Sequence, residues 1–267
     1  MLFARPALGA ACMLVVVACL ASGQSAWANI ITLTATVRDL CGVGFQPGSC
    51  PSGYIANPDF ERAIADDRGL VRSTLGADGT PTLATAARTA TISDPSKFVQ
   101  WYHDAAGANQ RTNISLVLTE LAPGLYGYSN SSFFPIDGQL LGNQGQSHNY
   151  SFTLALHTNF TYRPGQTFTF SGDDDVWVFI DKKRVIDLGG VHPAESAFVN
   201  LDSLSLTAGK TYDFDLFFAE RHTTQSTLAL TTSIVLNPNP VPEPSTFSSL
   251  VVAAGMLGTV AWRRRRA

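Results

Sequence analysis

Ile31, Leu33, Ala35 and Val37 alternate with Thr32, Thr34 and Thr36, and no other feature restricts the fold of this chain as much. A period of two sends the aliphatic side chains to one face of an extended strand and the threonines to the other. Comparable short runs recur at 113–121, 150–156, 167–171, 176–181, 184–188, 198–206, 211–218 and 227–236. Several are separated by turn signals such as Pro164-Gly165, Gly189-Gly190 and Ala208-Gly209-Lys210. No long segment has a clean 3.6-residue period. Eight or nine short strands spaced in this way predict an all-β domain, a β-sandwich or a flattened barrel.

Two stretches depart from the strand pattern. From 41 to 90 the alternation dissolves into Gly, Pro, Asp and Ala, which predicts loops and short turns, with Asn57-Pro58-Asp59-Phe60-Glu61 as the most specific segment. Asp94-Pro95 places a capping carboxylate before a proline at the first helical position, and Phe98, Trp101 and Tyr102 follow at i, i+3 and i+4. One short helix with an aromatic face docked on the sheet is expected. Trp177 and Phe179 alternate with Val176, Val178 and Ile180, so both faces of that strand read as covered and both aromatics as core.

The two ends of the chain carry addresses. Arg5, the apolar run 7–20 and the small-residue site Ala26-Trp27-Ala28 read as a secretory signal peptide, residues 1–28, cut between Ala28 and Asn29. The lipobox-like Val16-Val17-Ala18-Cys19 offers lipidation at Cys19 as the alternative. After a proline-rich linker at 237–245 come an apolar stretch and a basic stop, Arg263 to Arg266, which together read as a C-terminal transmembrane segment at 246–267. Pro242-Glu243-Pro244, the apolar span and the arginine cluster, in that order, resemble the PEP-CTERM sorting signal of bacterial surface proteins. The resemblance implies recognition by an exosortase-type membrane protease, with the inner membrane as a station during sorting; an ordinary C-terminal anchor is the alternative. The mature domain is then 29–236, with a motif-rich core at about 95–236.

Residues 29–240 hold 13 Lys and Arg against 20 Asp and Glu, a net charge of −7. Once the terminal arginines are assigned to the membrane, nothing basic remains to follow a phosphate backbone, so nucleic acid is not expected as a partner. Cations are the better guests. Two of the four cysteines fall in the signal region, leaving Cys41 and Cys50 in an oxidising compartment, and a disulfide closing one small loop is expected, with a zinc site as the alternative.

The densest charge cluster is Gly172-Asp173-Asp174-Asp175 against the apolar strand Val176 to Ile180. Adjacent carboxylates repel unless solvent or a cation relieves them, and hard oxygen donors suit calcium. From spacing alone, a solvated turn capped by aspartates explains the cluster equally well. The motifs Asn57 to Glu61, Trp101-Tyr102, Phe133 to Gly138, His148 to Thr153, Gly172 to Asp181, Asp187 to His192 and Ala219 to His222 resemble, in order, those of the fibro-slime domain. That domain is similar in turn to the PA14 β-sandwich of adhesins, toxins and glycosidases. In carbohydrate-binding members two adjacent aspartates, often joined by a cis peptide, hold a calcium ion that grips sugar hydroxyls, and Asp173 and Asp174 take those positions. The resemblance places the remaining ligands in a loop near the last strand, here 222–226, which carries no Asp or Asn. Lys182 stands where the fibro-slime pattern tends to have glycine, so that turn is expected to differ from the two-residue glycine-containing hairpin.

Asp175, His192, Glu220, His222 and Gln225 are the further ligand-binding candidates. Glu220 and Arg221, at a strand end, are expected to pair with each other or with backbone, and Asp181 and Asp187 to bracket a hairpin. No catalytic residue is assigned. The leading expectation is a secreted, non-enzymatic surface or matrix protein of a Gram-negative envelope. It would bind extracellular polysaccharide or matrix glycan with calcium at Asp173 and Asp174. A self-associating slime scaffold is the first rival. A glycoside hydrolase is the second, needing two carboxylates across a cleft, for which Asp175 and Glu220 are conceivable.

Overall fold

The computed structural model describes residues 29–43, 49–61 and 64–238. Cys19, Ala28 and the sorting motif Pro242, Glu243 and Pro244 lie outside the described residues, and among the described residues no helix is long and apolar enough to cross a membrane. The Asn29 side-chain amide donates to Glu120 at 2.7 Å.

Twelve strands follow in chain order: β1 (Ile30–Leu40), β2 (Ala65–Asp66), β3 (Asn109–Ala122), β4 (Leu125–Asn130), β5 (Phe152–Thr161), β6 (Thr167–Gly172), β7 (Asp175–Ile180), β8 (Lys183–Leu188), β9 (Gly190–Val191), β10 (Glu195–Asn200), β11 (Thr211–Glu220) and β12 (Leu228–Thr232). Ten of them form a single antiparallel sheet in the order β10-β6-β12-β4-β3-β1-β5-β11-β7-β8, and its two edge strands approach one another. The sheet is therefore nearly closed, a flattened barrel. Its interior holds the inward half of each alternation: Leu33 and Val37, Leu116 and Leu118, Leu154 and Leu156, Val176 and Val178, Leu216 and Phe218.

A second core lies outside the barrel wall. Trp177 and Phe179 of β7 and Phe217 of β11 point outward and are covered by Phe60, Leu70, Val71, Ile92, Phe98, Trp101 and Tyr102. Both faces of β7 are thus buried, as its unbroken apolar sequence requires. Full burial of Phe217 alone is worth roughly 2–3 kcal/mol. The expected helix is present as a 3-10 helix, Pro95–Trp101, whose cap Asp94 accepts from the Ser96 amide at 3.2 Å. Its aromatic residues Phe98 and Trp101, with Tyr102 just after it, seal the outer core, Tyr102 meeting Phe217 edge-on at 5.0 Å.

The disulfide Cys41–Cys50 closes the loop after β1. At the other end Asn237 is held to β5, its N–H donating to the Asn159 carbonyl at 2.9 Å.

Two expectations need correction. The run 198–206 is not one strand: β10 ends at Asn200, whose side chain accepts from the Asp202 amide at 3.0 Å and turns the chain into a second 3-10 helix, Leu201–Leu204. The β7–β8 turn keeps the two-residue hairpin length, with Ile180 opposite Lys183, but builds it without glycine. Asp181 (φ 52°) and Lys182 (φ 64°) both take the left-handed conformation that a type I′ turn demands.

Candidate functional site

β7 starts at Asp175, and the two aspartates before it lie where β6 hands over to β7 at one end of the barrel. Asp173 and Asp174 line a shallow pocket of about 100 Å3 with His192, Pro193, His222 and Gln225. The structure thus brings together five of the residues singled out in the sequence, although they come from three separate loops. Larger surface grooves of about 430 and 520 Å3 exist elsewhere, but no side chain lining either has a buried oxygen without a partner.

Asp173 accepts the Thr227 N–H at 2.6 Å through one oxygen. Its other oxygen is buried without a hydrogen-bond partner, and burial pushes its pKa up. Asp174 sits at φ 52° and accepts the Arg221 backbone N–H at 2.7 Å. Burial, set against the nearby Arg221 charge, raises its carboxyl to about 8. The peptide bond between the two aspartates is trans, unlike the cis linkage the resemblance implied.

Glu220 lies beneath the pocket, fully buried at the end of β11. Burial first, then the charges of Asp174 and Asp173, hold its pKa well above the ordinary range. One carboxyl oxygen accepts the His222 N–H at 3.3 Å, and the carboxyl also hydrogen-bonds the Ser226 side chain.

Asp175 does not reach the pocket. It is fully buried, accepting the Gly190 N–H at 2.7 Å and the Arg221 Nε at 2.5 Å. Arg221 therefore pairs with Asp175 and not with Glu220, its neighbour in sequence. Its remaining donors reach the carbonyls of Asp59 and Thr91, each at 3.0 Å, and its guanidinium lies 4.8 Å from the Trp101 ring centroid. With Asp175 committed to this ion pair, Asp175 and Glu220 do not face each other across a cleft as a glycosidase pair. Asp187 is structural as well, accepting from Trp177 Nε1 at 3.2 Å and the Gly69 amide at 2.8 Å.

The pocket loop 222–225 rests on Glu61, whose carboxylate accepts the Thr223 N–H at 3.0 Å and its hydroxyl at 2.8 Å. Across the pocket, His192 contacts the carbonyls of Pro193 and Leu188 through its ring nitrogens. The wall carrying His192 begins at β9, which pairs with β2. Gly190 in that strand is at φ 125°, and a Cβ there would collide with the Ala65 carbonyl, so only glycine lets the two strands meet.

Arg221 and Glu61 are the functional supports that sequence reasoning missed. Arg221 works through Asp59, Thr91 and Asp175, all remote in sequence. Glu61 was visible only as part of a motif without a role.

The donor chemistry suits a hard cation in part. A buried oxygen of Asp173 without a hydrogen-bond partner is present. Among the described residues, however, no three His, Cys, Asp or Glu side chains form a ready metal-binding group, and Asp174 is tied to backbone.

Residues 143–244 match the PA14 domain family and residues 240–266 the PEP-CTERM protein-sorting motif. The first match spans β5 through β12 and includes every pocket candidate. Protein psiQ of Dictyostelium discoideum is 46% identical over 184 residues, 63% of this chain and 19% of its own length. Protein psiR of the same organism is 42% identical over 196 residues, 67% of this chain and 20% of its own. The chain therefore spans about a fifth of either relative. The PA14 domain of the antifreeze protein MpAFP aligns with 80% of this chain and 95% of its own at 10% identity, with a TM-score of 0.31. The profile and relative matches bear out the fibro-slime and PA14 resemblance read from the motifs. The chain carries a PA14 domain followed by a PEP-CTERM sorting motif, which marks it for export, envelope association and handling by a sorting enzyme in bacteria.

Proposed function

We propose that this protein is a non-enzymatic surface module that binds extracellular glycan through the pocket of Asp173, Asp174, His192, His222 and Gln225, with calcium as its cofactor. The observation that carries the reading is the convergence of these polar groups on one opening, with one buried Asp173 oxygen that no hydrogen bond satisfies. Imidazole, amide and hydroxyl groups on a rigid rim are the chemistry that recognises sugar hydroxyls. A bound calcium would add charge and further coordination sites for paired hydroxyls. The PA14 match agrees with a binding role. The sorting motif supports an envelope location, which we take to be that of a Gram-negative exopolysaccharide producer, with the apolar tail as a transient membrane anchor and an exosortase-type protease as processing partner.

The test is binding of the full chain to a panel of bacterial polysaccharides in calcium and in EDTA. Calcium-dependent binding that disappears in Asp173→Ala is expected. Self-association with no saccharide bound under either condition would replace this reading with that of a slime scaffold.

A further inference from the structure

Where the segment after β12 runs beside β5, an open groove of about 430 Å3 lies on the outer face of the sheet. Its size falls within the roughly 300–1,000 Å3 of small-molecule sites. Thr36 on β1 stands opposite Asn113 on β3 and Ala155 on β5, and the small side chain of Ala155 keeps the floor low between polar neighbours. Asn237 and Pro238 form one wall, held in place by the Thr158 hydroxyl, which donates to the Asn237 carbonyl.

The polar side chains around this groove are committed in one direction. Asn113 Oδ1 accepts the Thr36 hydroxyl at 3.1 Å, and Asn159 Oδ1 accepts the Asn237 side-chain amide. With these carbonyl oxygens engaged, both asparagines have N–H donors left for a guest. Charge favours the same kind of guest. Arg38 and Arg111 lie 3.0 and 2.8 Å from one carboxylate, that of Asp104, and among the described residues neither pairs with another. Two guanidiniums against one carboxylate leave a positive charge over, and Arg111, about half exposed, carries it to the groove. Among the described residues no Asp or Glu lines it. In a domain of net charge −7 this is a local reversal of sign. A neutral sugar must donate as well as accept, and finds its strongest acceptors here already taken. A carboxylate finds donors and opposite charge, and the two terminal nitrogens of a guanidinium match its two oxygens.

We propose that this groove binds a uronate residue of an acidic extracellular polysaccharide, with the sugar carboxylate on Arg111 and its hydroxyls accepting from Asn113 and Asn159. An isolated inorganic anion would engage Arg111 and leave most of the groove unfilled. The inference rests on the reading that the chain binds extracellular glycan, and adds a second contact, distant from the Asp173 pocket and independent of calcium. A polymer repelled by the domain as a whole is thereby gripped at one strip of its surface.

The test is calorimetric titration of the full chain with alginate, a polyuronate, with dextran, a neutral polysaccharide, and with polyglutamate, an acidic polymer without sugar. All three are run in EDTA, so that the calcium-dependent pocket is silent. Alginate is expected to bind at least about tenfold more tightly than either control. Asn113→Asp keeps an oxygen for the Thr36 hydroxyl while replacing the amide donor with a like charge, and should weaken alginate binding about tenfold, as should Arg111→Ala. Asp173→Ala should leave it unchanged. Equal binding of dextran or polyglutamate, or alginate binding untouched in Asn113→Asp and Arg111→Ala, would overturn the site. No alginate binding in EDTA beside calcium-dependent binding of other glycans would remove the groove and spare the pocket; the reverse result would keep the groove and remove the pocket.

Discussion

Arg221 and Asp175 form an ion pair in which neither side chain has any exposure to solvent, with Nε 2.5 Å from Oδ2. The same guanidinium reaches Asp59 and Thr91 in the long N-terminal segment and lies against Trp101. One side chain thus joins the outer core to the barrel wall. A buried pair is weak evidence of net stabilisation, but breaking it strands a charge.

Arg221→Met is therefore expected to cost about 3–5 kcal/mol in urea unfolding, because Asp175 is left buried without its partner. Arg221→Lys should recover little of this. A point charge with no planar fork cannot meet Asp175 and the two carbonyls together. Full stability in the lysine variant would show that charge alone matters here.

Asp39 supplies a pH dependence. It accepts the Leu141 N–H at 2.8 Å and hydrogen-bonds the Asn149 side chain, yet burial raises its pKa from 3.8 to about 7. Between those values the folded state holds a proton that the unfolded state has released. Stability contributed by this group is thus fully present below 3.8 and is lost as pH rises through 7, at up to about 1.4 kcal/mol per pH unit. Asp39→Asn should abolish that slope. Its melting temperature relative to wild type should climb from pH 5 to pH 8, and parallel curves would refute the assignment.

Lys182 takes φ 64° in the hairpin between β7 and β8. A non-glycine residue in the left-handed region pays about 1–2 kcal/mol, part of which glycine returns through the greater freedom of its unfolded chain. Lys182→Gly should stabilise the protein by about 1 kcal/mol, read as a higher denaturation midpoint with an unchanged slope.

Glu61→Ala should loosen the pocket while sparing the cores, since the contacts of its carboxylate go to the 222–223 loop. The Thr223 amide should exchange with solvent deuterium much faster in the variant, with β7 amides unchanged. Protection retained at Thr223 would mean that the loop holds itself in place.

The strands with strict alternation were legible because one face meets the core and the other meets solvent. β4 was not, for Leu125-Tyr126-Gly127-Tyr128 carries a glycine where a strand usually has a branched residue. Its reason is tertiary: a Cβ on Gly127 would lie 2.6 Å from the Leu121 side chain. The pocket candidates were readable from motifs close to strand ends. Asp175 was misplaced because alternation, not the charge run, decides its direction: with Asp175 the first residue of β7, its neighbours in the pocket do not share its environment. Arg221 gave no local signal, its partners lying 46, 130 and 162 residues away.

Asn237, fastened to Asn159 on β5, acts as the cleat of a short leash. Pro242 lies five steps along the chain from it, and even fully extended those five steps reach only about 18 Å. Any enzyme that reads the sorting motif must work within about that distance of the barrel wall. The bulk of the domain, and not the linker alone, therefore sets which enzymes can approach and from which side.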